Sequence, residues 1–306
     1  MEEFDVVIIG GGFAGISCSL ELHDNYVKHI IVEKNHSLGG QISLIANRIR
    51  NLPGTIFENG KDLESSLERT SSELLLPISR NEELVEIDLS KKIMKTSKTT
   101  MRSKAIVLAT GARRCELQFE DENELSKKVF YMVEGKEDQL QGKRVVVVGG
   151  GDSALIEALW LAKYSKQVAL VHRKKEFHAR PDLINDIHKQ KNIVVYLESK
   201  VEGLKGTAEI ESVLVKNLRT EKSENIFCEA VVAKIGQIPN NQLFIGQVKM
   251  DSRGHILINE YMETSNSGVY AIGDLASPPY WRLAVASGQG SVAARSVMNH
   301  LWNQQL

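Results

Sequence analysis

Two short apolar runs, each followed by three glycines, stand out in the pattern of hydrophobic and polar positions. The first run and its glycines cover residues 4–12 (FDVVIIGGG), and the second set covers residues 144–151 (RVVVVGGG). Helix-compatible spacing follows both glycine turns, and a β-branched strand follows each predicted helix, at 29–32 and at 168–171. This order of strand, turn, helix and strand predicts a dinucleotide site, because the pyrophosphate binds at the helix N-terminus.

The rest of the pattern predicts a mixed α/β chain with two regions of short strands. The predicted elements are an amphipathic helix at 63–76, an antiparallel meander at 80–101, a buried strand ending in a turn at 104–111, short strands at 193–232, a strand ending in Gly-Asp at 268–274, and a last helix, rich in small residues, after Trp281 and Arg282. A polar and acidic stretch at 112–126 suits a surface crossing between two domains.

In each of the two units, the strand after the helix ends in charged residues, and the sign of the charge differs between the units. Glu33 lies about 20 residues after the first glycine turn, where a carboxylate accepts a hydrogen bond from a ribose hydroxyl. His172, Arg173 and Lys174 occupy the matching place in the second unit, where cations suit a ribose 2′-phosphate. We therefore expect FAD at the first site and NADP(H) at the second. The alternative is that residues 173–175 are only a solvated charge run.

Composition and charge narrow the class of protein. A chain of 306 residues has room for two domains of ordinary size. Its net charge of −1 gives no reason to expect nucleic acid or a membrane surface as a partner, and no apolar run reaches spanning length. The first strand begins too early for a signal peptide, and the three cysteines (Cys18, Cys115 and Cys228) form no CxxC pair. We expect a cytoplasmic protein.

The motifs taken together resemble the low-molecular-weight thioredoxin reductase family of FAD/NAD(P)H oxidoreductases. The matching motifs are GGGFAG at 10–15, GGQ at 39–41, NxPG at 51–54, ATG at 109–111, GGGDSA at 149–154, HR at 172–173, GxxPN at 236–240 and GD at 273–274. The resemblance implies an α/β fold of two Rossmann-like, three-layer (ββα) dinucleotide-binding domains. It places an FAD-binding domain at 1–114 and 241–306, with an NAD(P)H-binding domain inserted at 115–240, and it implies a homodimer.

The motifs and the resemblance also predict the residues that bind the two cofactors. For FAD these are Gly10, Gly12, Phe13, Ala14, Gly15, Glu33, Lys34, Gly40, Gln41, Asn51, Ala109, Thr110, Gly111, Gly273, Asp274, Arg282, Leu283 and Ala284. For NADPH they are Gly151, Asp152, Ser153, His172, Arg173, Lys174 and His178. Asn51 reads equally well as a turn residue before Pro53. Leu283 stands where the family commonly has glutamine, and His178 where it has a third arginine. No catalytic acid, base or metal ligand is predicted.

The redox-active CxxC pair of thioredoxin reductases has no counterpart at the expected place. Counting back from Gly149 puts the pair at Met132 and Gly135, and Lys136 replaces the acid that follows it. The stretch at 131–134 and Ala286-Ser287-Gly288 resemble the thioredoxin-reductase-like ferredoxin/flavodoxin–NADP reductases, which also lack the pair. That resemblance implies hydride transfer from NADPH to FAD, and then electron transfer to a ferredoxin, a flavodoxin or a small-molecule acceptor.

Two other functions stay open on the sequence. One is a thiol–disulfide oxidoreductase or oxidase with unconventional thiol chemistry, for which Cys115 beside two arginines is a candidate. The other is a non-enzymatic, flavin-bound protein that responds to redox state. The ferredoxin/flavodoxin reductases usually carry a C-terminal extension over the flavin, and this chain stops at Leu306. Phe13, Tyr280 and Trp281 are candidates for covering the flavin instead.

Overall fold

The structure, a computed structural model, describes residues 1–45, 47–119, 124–133, 135–276 and 280–303. Its strands are β1 (Glu2–Ile9), β2 (His29–Val32), β3 (Ile78–Ser79), β4 (Leu84–Asp88), β5 (Ile93–Thr96), β6 (Thr100–Leu108), β7 (Ala112–Arg114), β8 (Arg144–Val148), β9 (Gln167–Val171), β10 (Ile193–Tyr196), β11 (Ser199–Lys205), β12 (Ser212–Asn217), β13 (Ser223–Phe227), β14 (Ala230–Ala233), β15 (Gln237–Pro239) and β16 (Val269–Ala271). Its α-helices are α1 (Phe13–Asp24), α2 (Gly60–Glu73), α3 (Glu137–Leu140), α4 (Asp152–Leu161), α5 (Pro181–Lys189) and α6 (Leu283–Asn303). Short 3-10 helices cover Gly40–Leu44, Glu124–Lys128, Gln242–Phe244 and Gly273–Leu275.

The chain divides into two compact units, the second inserted in the first. Unit 1 consists of Met1–Arg113 and Ile238–Leu306, and unit 2 consists of Arg114–Gln237. The short strands β7 and β15, at the two crossings, pair with each other. No helix in the described part of the chain is both long and apolar enough to cross a membrane.

Unit 1 is built on a sheet with the strand order β3-β2-β1-β6-β5-β4, and β16 pairs with the C-terminal end of β6. Strands β1, β2, β3, β6 and β16 run parallel, whereas β4 and β5 form the antiparallel meander expected from the alternating pattern. Residues Val6–Ile9 are nearly inaccessible to solvent because helices and loops cover both faces of a parallel sheet. This burial explains the continuous apolar run of β1.

Unit 2 repeats this plan on a smaller scale. Its parallel sheet has the order β10-β9-β8-β14, and β11, β12 and β13 form a separate antiparallel sheet. Strand β8 lies at the centre, and Val145–Val148 are buried between helices and the antiparallel sheet's apolar face. Both units are therefore Rossmann-like, as the two strand–glycine–helix patterns predict.

Helix α2 begins at Gly60, three residues before the predicted start. The side chain of Asn59 accepts a hydrogen bond from the backbone N–H of Asp62 at 3.1 Å, so it caps the helix. Gly60 fits here because a Cβ atom would lie only 1.7 Å from the carbonyl oxygen of Ile42. Because the first turn begins with a polar cap and a glycine, the spacing of apolar residues does not predict it.

The small residues of α6 serve the packing of this helix against α1. A Cβ atom on Gly290 would lie 2.6 Å from the carbonyl oxygen of Ala14 and 2.9 Å from the backbone nitrogen of Cys18. The hydroxyl of Ser17 lies 3.2 Å from that of Ser287. Gly288, in the same helix, has open space around its Cα atom.

We expect Gly290→Ala to destabilise unit 1 by about 1–3 kcal/mol, because the added methyl forces α6 away from α1. Gly288→Ala is the matched control, and we expect it to stabilise the protein by about 0.5–1 kcal/mol through helix propensity alone. Chemical denaturation of the two variants and the parent protein measures both changes. Equal effects of the two substitutions would contradict the packing role of Gly290.

Candidate functional site

The glycine turn between β1 and α1 leaves the start of α1 open. Gly10 has a φ of +111°, and a Cβ atom there would lie 2.4 Å from the carbonyl oxygen of Ala109, so only glycine fits. A Cβ atom on Gly15 would lie 2.0 Å from the carbonyl oxygen of Gly10, which brings α1 close against the turn. Gly12 precedes the helix without a side-chain cap and has no atoms within 4 Å of its Cβ position. Uncapped N–H groups beside open space form a place for an anion.

Glu33 is held against this turn at the end of β2. One carboxylate oxygen accepts the backbone N–H of Gly11 at 2.7 Å, and the other accepts that of Asn35 at 2.8 Å. The side chain is buried, while Lys34 beside it is exposed. Each carboxylate oxygen has a second lone pair, so Glu33 retains acceptor capacity for a hydroxyl group.

The loop at 39–41 also packs against the turn. Gly39 pairs with Gly12, and its N–H donates to the carbonyl oxygen of Gly11 at 2.8 Å. Gly40 lies beside Gly12, with its Cβ position 3.6 Å from the Gly12 Cα atom. The Gln41 side chain donates to the carbonyl oxygen of Ala112 at 2.6 Å. The loop thus brings Gly40 to the glycine turn and ties Gln41 to the start of the first crossing.

The turn at 109–111 is joined to the second crossing by three hydrogen bonds. The Thr110 hydroxyl donates to the carbonyl oxygen of Asn240 at 2.7 Å, and the Asn240 side chain donates back to the Thr110 carbonyl oxygen at 2.8 Å. The N–H of Asn240 donates to the carbonyl oxygen of Gly111 at 2.9 Å. Ala109 also lies beside Gly10 and Gly15, so the turn forms a wall of the same site.

Asp274 follows Gly273, which contacts the first turn of α1. Gly273 touches Ala14, with its Cβ position 3.1 Å from the Ala14 Cβ atom, and its N–H donates to the side chain of Gln289 at 2.8 Å. Burial raises the pKa of the Asp274 carboxyl, and nearby His255 opposes that rise. Within the described part of the chain, the Asp274 side chain makes no hydrogen bond. A half-buried carboxylate in this position is suited to accept hydrogen bonds from a polyol or ribose.

Five of the predicted residues have other surroundings. Phe13 and Leu283 pack against the apolar cluster of Ile42, Ile49 and Leu63. Asn51 is exposed in its turn, and its side chain makes no hydrogen bond with the described residues. Arg282 is exposed and donates to the carbonyl oxygen of Trp281 at 2.9 Å, and Ala284 is exposed at the start of α6. The structure therefore brings the glycine turn, Glu33, Gly40, residues 109–111 and Asp274 together, and leaves Asn51 and Arg282 without such contacts.

The second glycine turn, between β8 and α4, is built in the same way. A Cβ atom on Gly149 would lie 2.4 Å from the carbonyl oxygen of Lys234, and one on Gly150 would lie 2.1 Å from the His172 ring. Gly151 pairs with His178, whose N–H donates to the carbonyl oxygen of Gly150 at 2.8 Å. The segment after β9 therefore folds back over the turn.

His172 is a packing residue of this segment. Its ring is buried, stacks on Phe177 at a centroid distance of 5.5 Å and donates from Nε2 to the carbonyl oxygen of Glu176 at 3.0 Å. Burial lowers the pKa of His172, and the positive charges of Arg173 and Lys174 lower it further. The imidazole is therefore neutral near pH 7 and holds the segment in place rather than supplying charge.

The cations of the segment are exposed beside the turn. Arg173, Lys174 and His178 all lie on the surface, and none of them forms an ion pair with a described residue. Asp152, at the start of α4, accepts the N–H of Arg180 at 2.8 Å and lies 3.5 Å from its guanidinium, while Ser153 is exposed. Sequence reasoning missed Arg180 and Gln289, because each reaches its site through a tertiary hydrogen bond. For Arg180 the sequence did contain a signal, which is Asp152, an acid in the first turn of α4 that can pair with a cation.

Comparison with known proteins agrees with this geometry. The model of the family described as "Pyridine nucleotide-disulphide oxidoreductase" matches residues 4–290. The chain is 32% identical to the "Thioredoxin reductase" of Peptoclostridium acidaminophilum, over 95% of each chain. It is 32% identical to the "34.2 kDa protein in rubredoxin operon" of Clostridium pasteurianum, over 96% of each. Among solved structures it is similar to Lactococcus lactis thioredoxin reductase, with a TM-score of 0.79 and 26% identity, covering 98% of this chain and 99% of that chain.

This chain belongs to the pyridine nucleotide-disulphide oxidoreductase family. It is a flavoprotein oxidoreductase of the thioredoxin reductase type, and FAD and NADPH are the cofactors of that type. The open helix starts, the buried acceptor Glu33 and the exposed cations at 173–174 fit these cofactors. The expected membership, fold and cofactors are therefore confirmed.

Two of the three cysteines lie in surroundings that keep their thiols unreactive. Cys18 is fully buried in α1, and burial raises the pKa of its thiol well above the usual range. Burial raises the pKa of Cys228 to about 12. Cys115 is half-buried at the crossing into unit 2. Neither Cys18 nor Cys228 forms a thiolate near neutral pH, and the thiolate is the reactive form.

The stretch at 131–136 is packed on the core of unit 2. Val133 is fully buried, and the Tyr131 hydroxyl accepts the N–H of Leu117 at 3.0 Å. The Met132 sulfur accepts a hydrogen bond from the Arg114 guanidinium at 2.7 Å. Lys136 lies over the Phe130 ring at 4.9 Å, and Glu134 lies outside the described residues. The sulfur in this stretch is thus a thioether, which cannot exchange with a disulfide.

We expect Asp274→Asn to raise the thermal stability of the FAD-free protein at neutral pH. Because burial raises the pKa of Asp274 in the folded state, its contribution to stability is present at low pH and is lost as the pH rises through that pKa. Asparagine carries no charge, so the advantage of the variant should grow as the pH rises. Melting curves of the two apoproteins across mildly acidic and neutral pH measure this. An advantage that shrinks as the pH rises would contradict it.

Proposed function

We propose that this chain is an NADPH-dependent FAD oxidoreductase that passes electrons to an acceptor other than a dithiol of its own, of the ferredoxin/flavodoxin–NADP reductase type. The observation that carries the proposal is the state of its sulfur atoms. Two thiols are buried with raised pKa values, and a methionine held by Arg114 occupies the place expected for a redox-active cysteine. The name of one relative, which refers to a rubredoxin operon, supports a redox carrier protein as the acceptor.

In this proposal the residues of unit 1 hold FAD. The turn at Gly10–Gly15 and the N-terminus of α1 bind the pyrophosphate, and Glu33 accepts a ribose hydroxyl. Asp274 accepts a further hydroxyl of the bound FAD, and Gln289 keeps the Gly273–Asp274 turn in place through its bond to the Gly273 N–H. These residues bind and orient, and none of them needs to transfer a proton.

The residues of unit 2 hold NADPH. The N-terminus of α4 binds the pyrophosphate, while Arg173 and Lys174 bind the 2′-phosphate as exposed cations. Lys174 lacks the bidentate fork of an arginine, so the preference for NADPH over NADH is modest. When bound, NADPH supplies a hydride and FAD accepts it, which is chemistry that belongs to the cofactors.

The names of the thioredoxin reductase relatives favour a second candidate, which is thiol–disulfide oxidoreduction. In this chain it would depend on Cys115, the one cysteine that is not buried. The two candidates differ in what they require of sulfur, so cysteine variants separate them.

We expect a Cys18→Ala, Cys115→Ser, Cys228→Ala variant to keep NADPH-driven reduction of ferredoxin or flavodoxin within about threefold of the parent, since no thiol takes part. Anaerobic bleaching of the flavin by NADPH measures the first half-reaction, and carrier reduction measures the second. The single variant Cys115→Ser controls for packing losses at the two buried cysteines. A fall of about 100-fold with FAD still bound would favour the thiol mechanism.

We expect NADPH to have a higher specificity constant than NADH, and Arg173→Ala with Lys174→Ala to raise the Kd for NADPH about tenfold because the 2′-phosphate loses two cations. The Kd for NADH should change by less than about twofold. Lys189→Ala, which removes an exposed lysine paired with Asp186 on α5, is the control. An equal or higher specificity constant for NADH in the parent would show that the second site is wrongly assigned.

A further inference from the structure

We infer that Lys234, held by Glu157, binds the nicotinamide half of the dinucleotide in unit 2. This role deepens the proposed function and rests on it. Neither residue is among those that the sequence motifs single out.

The topology of the unit 2 sheet places Lys234 at the point where a ligand binds. Strand β8 lies between β9 and β14, and the chain leaves β8 toward β9 through α4 but reaches β14 from elsewhere. In a parallel sheet, the crevice at such a reversal opens at the carboxyl ends of the two strands. Lys234 is the first residue after β14, and its N–H donates to the carbonyl oxygen of Val148, the last residue of β8, at 2.8 Å.

The side chain of Lys234 extends from the end of β14 to α4. Its ammonium lies 2.7 Å from a carboxylate oxygen of Glu157, which belongs to α4, the helix that follows the glycine turn. The two side chains are 15% and 9% exposed, the least of any ion pair between described residues of unit 2. Burying both charges has a desolvation penalty that the pair's attraction barely offsets, so such a pair contributes little net stability. Its presence beside the turn is better explained by a ligand.

The arrangement of charges along the edge of the sheet assigns the half of the ligand. Arg173 follows β9, on one side of β8, and Lys234 follows β14, on the other. A dinucleotide with its pyrophosphate at the start of α4 and its 2′-phosphate at Arg173 must extend toward β14 with its nicotinamide half. An ammonium has three N–H donors, so Lys234 can bind Glu157 and still donate to the carboxamide oxygen of the nicotinamide.

Two ligands distinguish a contact with the nicotinamide from a general disturbance of the dinucleotide site. NADP⁺ carries the nicotinamide, whereas 2′-phospho-ADP-ribose keeps the pyrophosphate, the 2′-phosphate and both riboses and lacks only the nicotinamide ring. Calorimetric titration of the FAD-loaded protein should show that Lys234→Met raises the Kd for NADP⁺ about tenfold, and the Kd for 2′-phospho-ADP-ribose by less than about twofold. Lys234→Arg keeps the charge and should stay within about threefold of the parent for both ligands.

Lys189→Met, which removes a lysine from an exposed ion pair, is the matched control and should change neither Kd. Should Lys234→Met fail to fold, the double variant Lys234→Gln, Glu157→Gln replaces the charges with amides and is expected to give the same contrast between ligands. Equal weakening of both ligands, or no change in either, would overturn the role of Lys234. Failure of the parent protein to bind 2′-phospho-ADP-ribose would instead overturn the proposed NADPH site itself.

Discussion

The architecture depends on one close approach of backbone to backbone, which occurs in each unit. Gly10 lies against the carbonyl oxygen of Ala109, and Gly149 lies against that of Lys234, both 2.4 Å from the position of a missing Cβ atom. In each case the carbonyl belongs to the residue just after the parallel strand beside the central one. A side chain at either glycine would separate these strand ends and disturb the start of the following helix. The open N-termini of α1 and α4 exist because this approach is possible.

The two units share the backbone contact and differ in the charges around it. Acidic groups flank the turn of unit 1, with Glu33 buried on one side and Asp274 half-buried on the other. Cations flank the turn of unit 2, where Arg173 is exposed and Lys234 is paired. Because helix N-termini favour any anion, the proposed assignment of FAD to unit 1 and NADPH to unit 2 rests on the side chains beside them.

The parts of the fold and site that depend on local spacing could be predicted from the sequence. The glycine turns, the parallel strands with continuous apolar runs and Glu33 all follow from patterns within about 35 residues. Gln289, Arg180 and Lys234 could not be predicted in this way, because they meet their partners across sequence separations that no periodicity records. Phe13 and Leu283 stay predicted FAD contacts. Both are half-buried at helix starts, where they pack with Ile42 and Leu63.

The crossings between the units show how one compact unit can interrupt the chain of another. Within unit 2, the N–H of Cys115 donates to the carbonyl oxygen of Gly236 at 3.0 Å, so the two ends of the insert lie side by side. Within unit 1, the N–H of Asn240 donates to the carbonyl oxygen of Gly111 at 2.9 Å, so the interrupted ends of the host are also neighbours. Adjacent ends on both pieces are the condition for inserting one domain into another without disturbing either core. Unit 2 is therefore a continuous insert, and the apolar cores of the two units are built from separate residues.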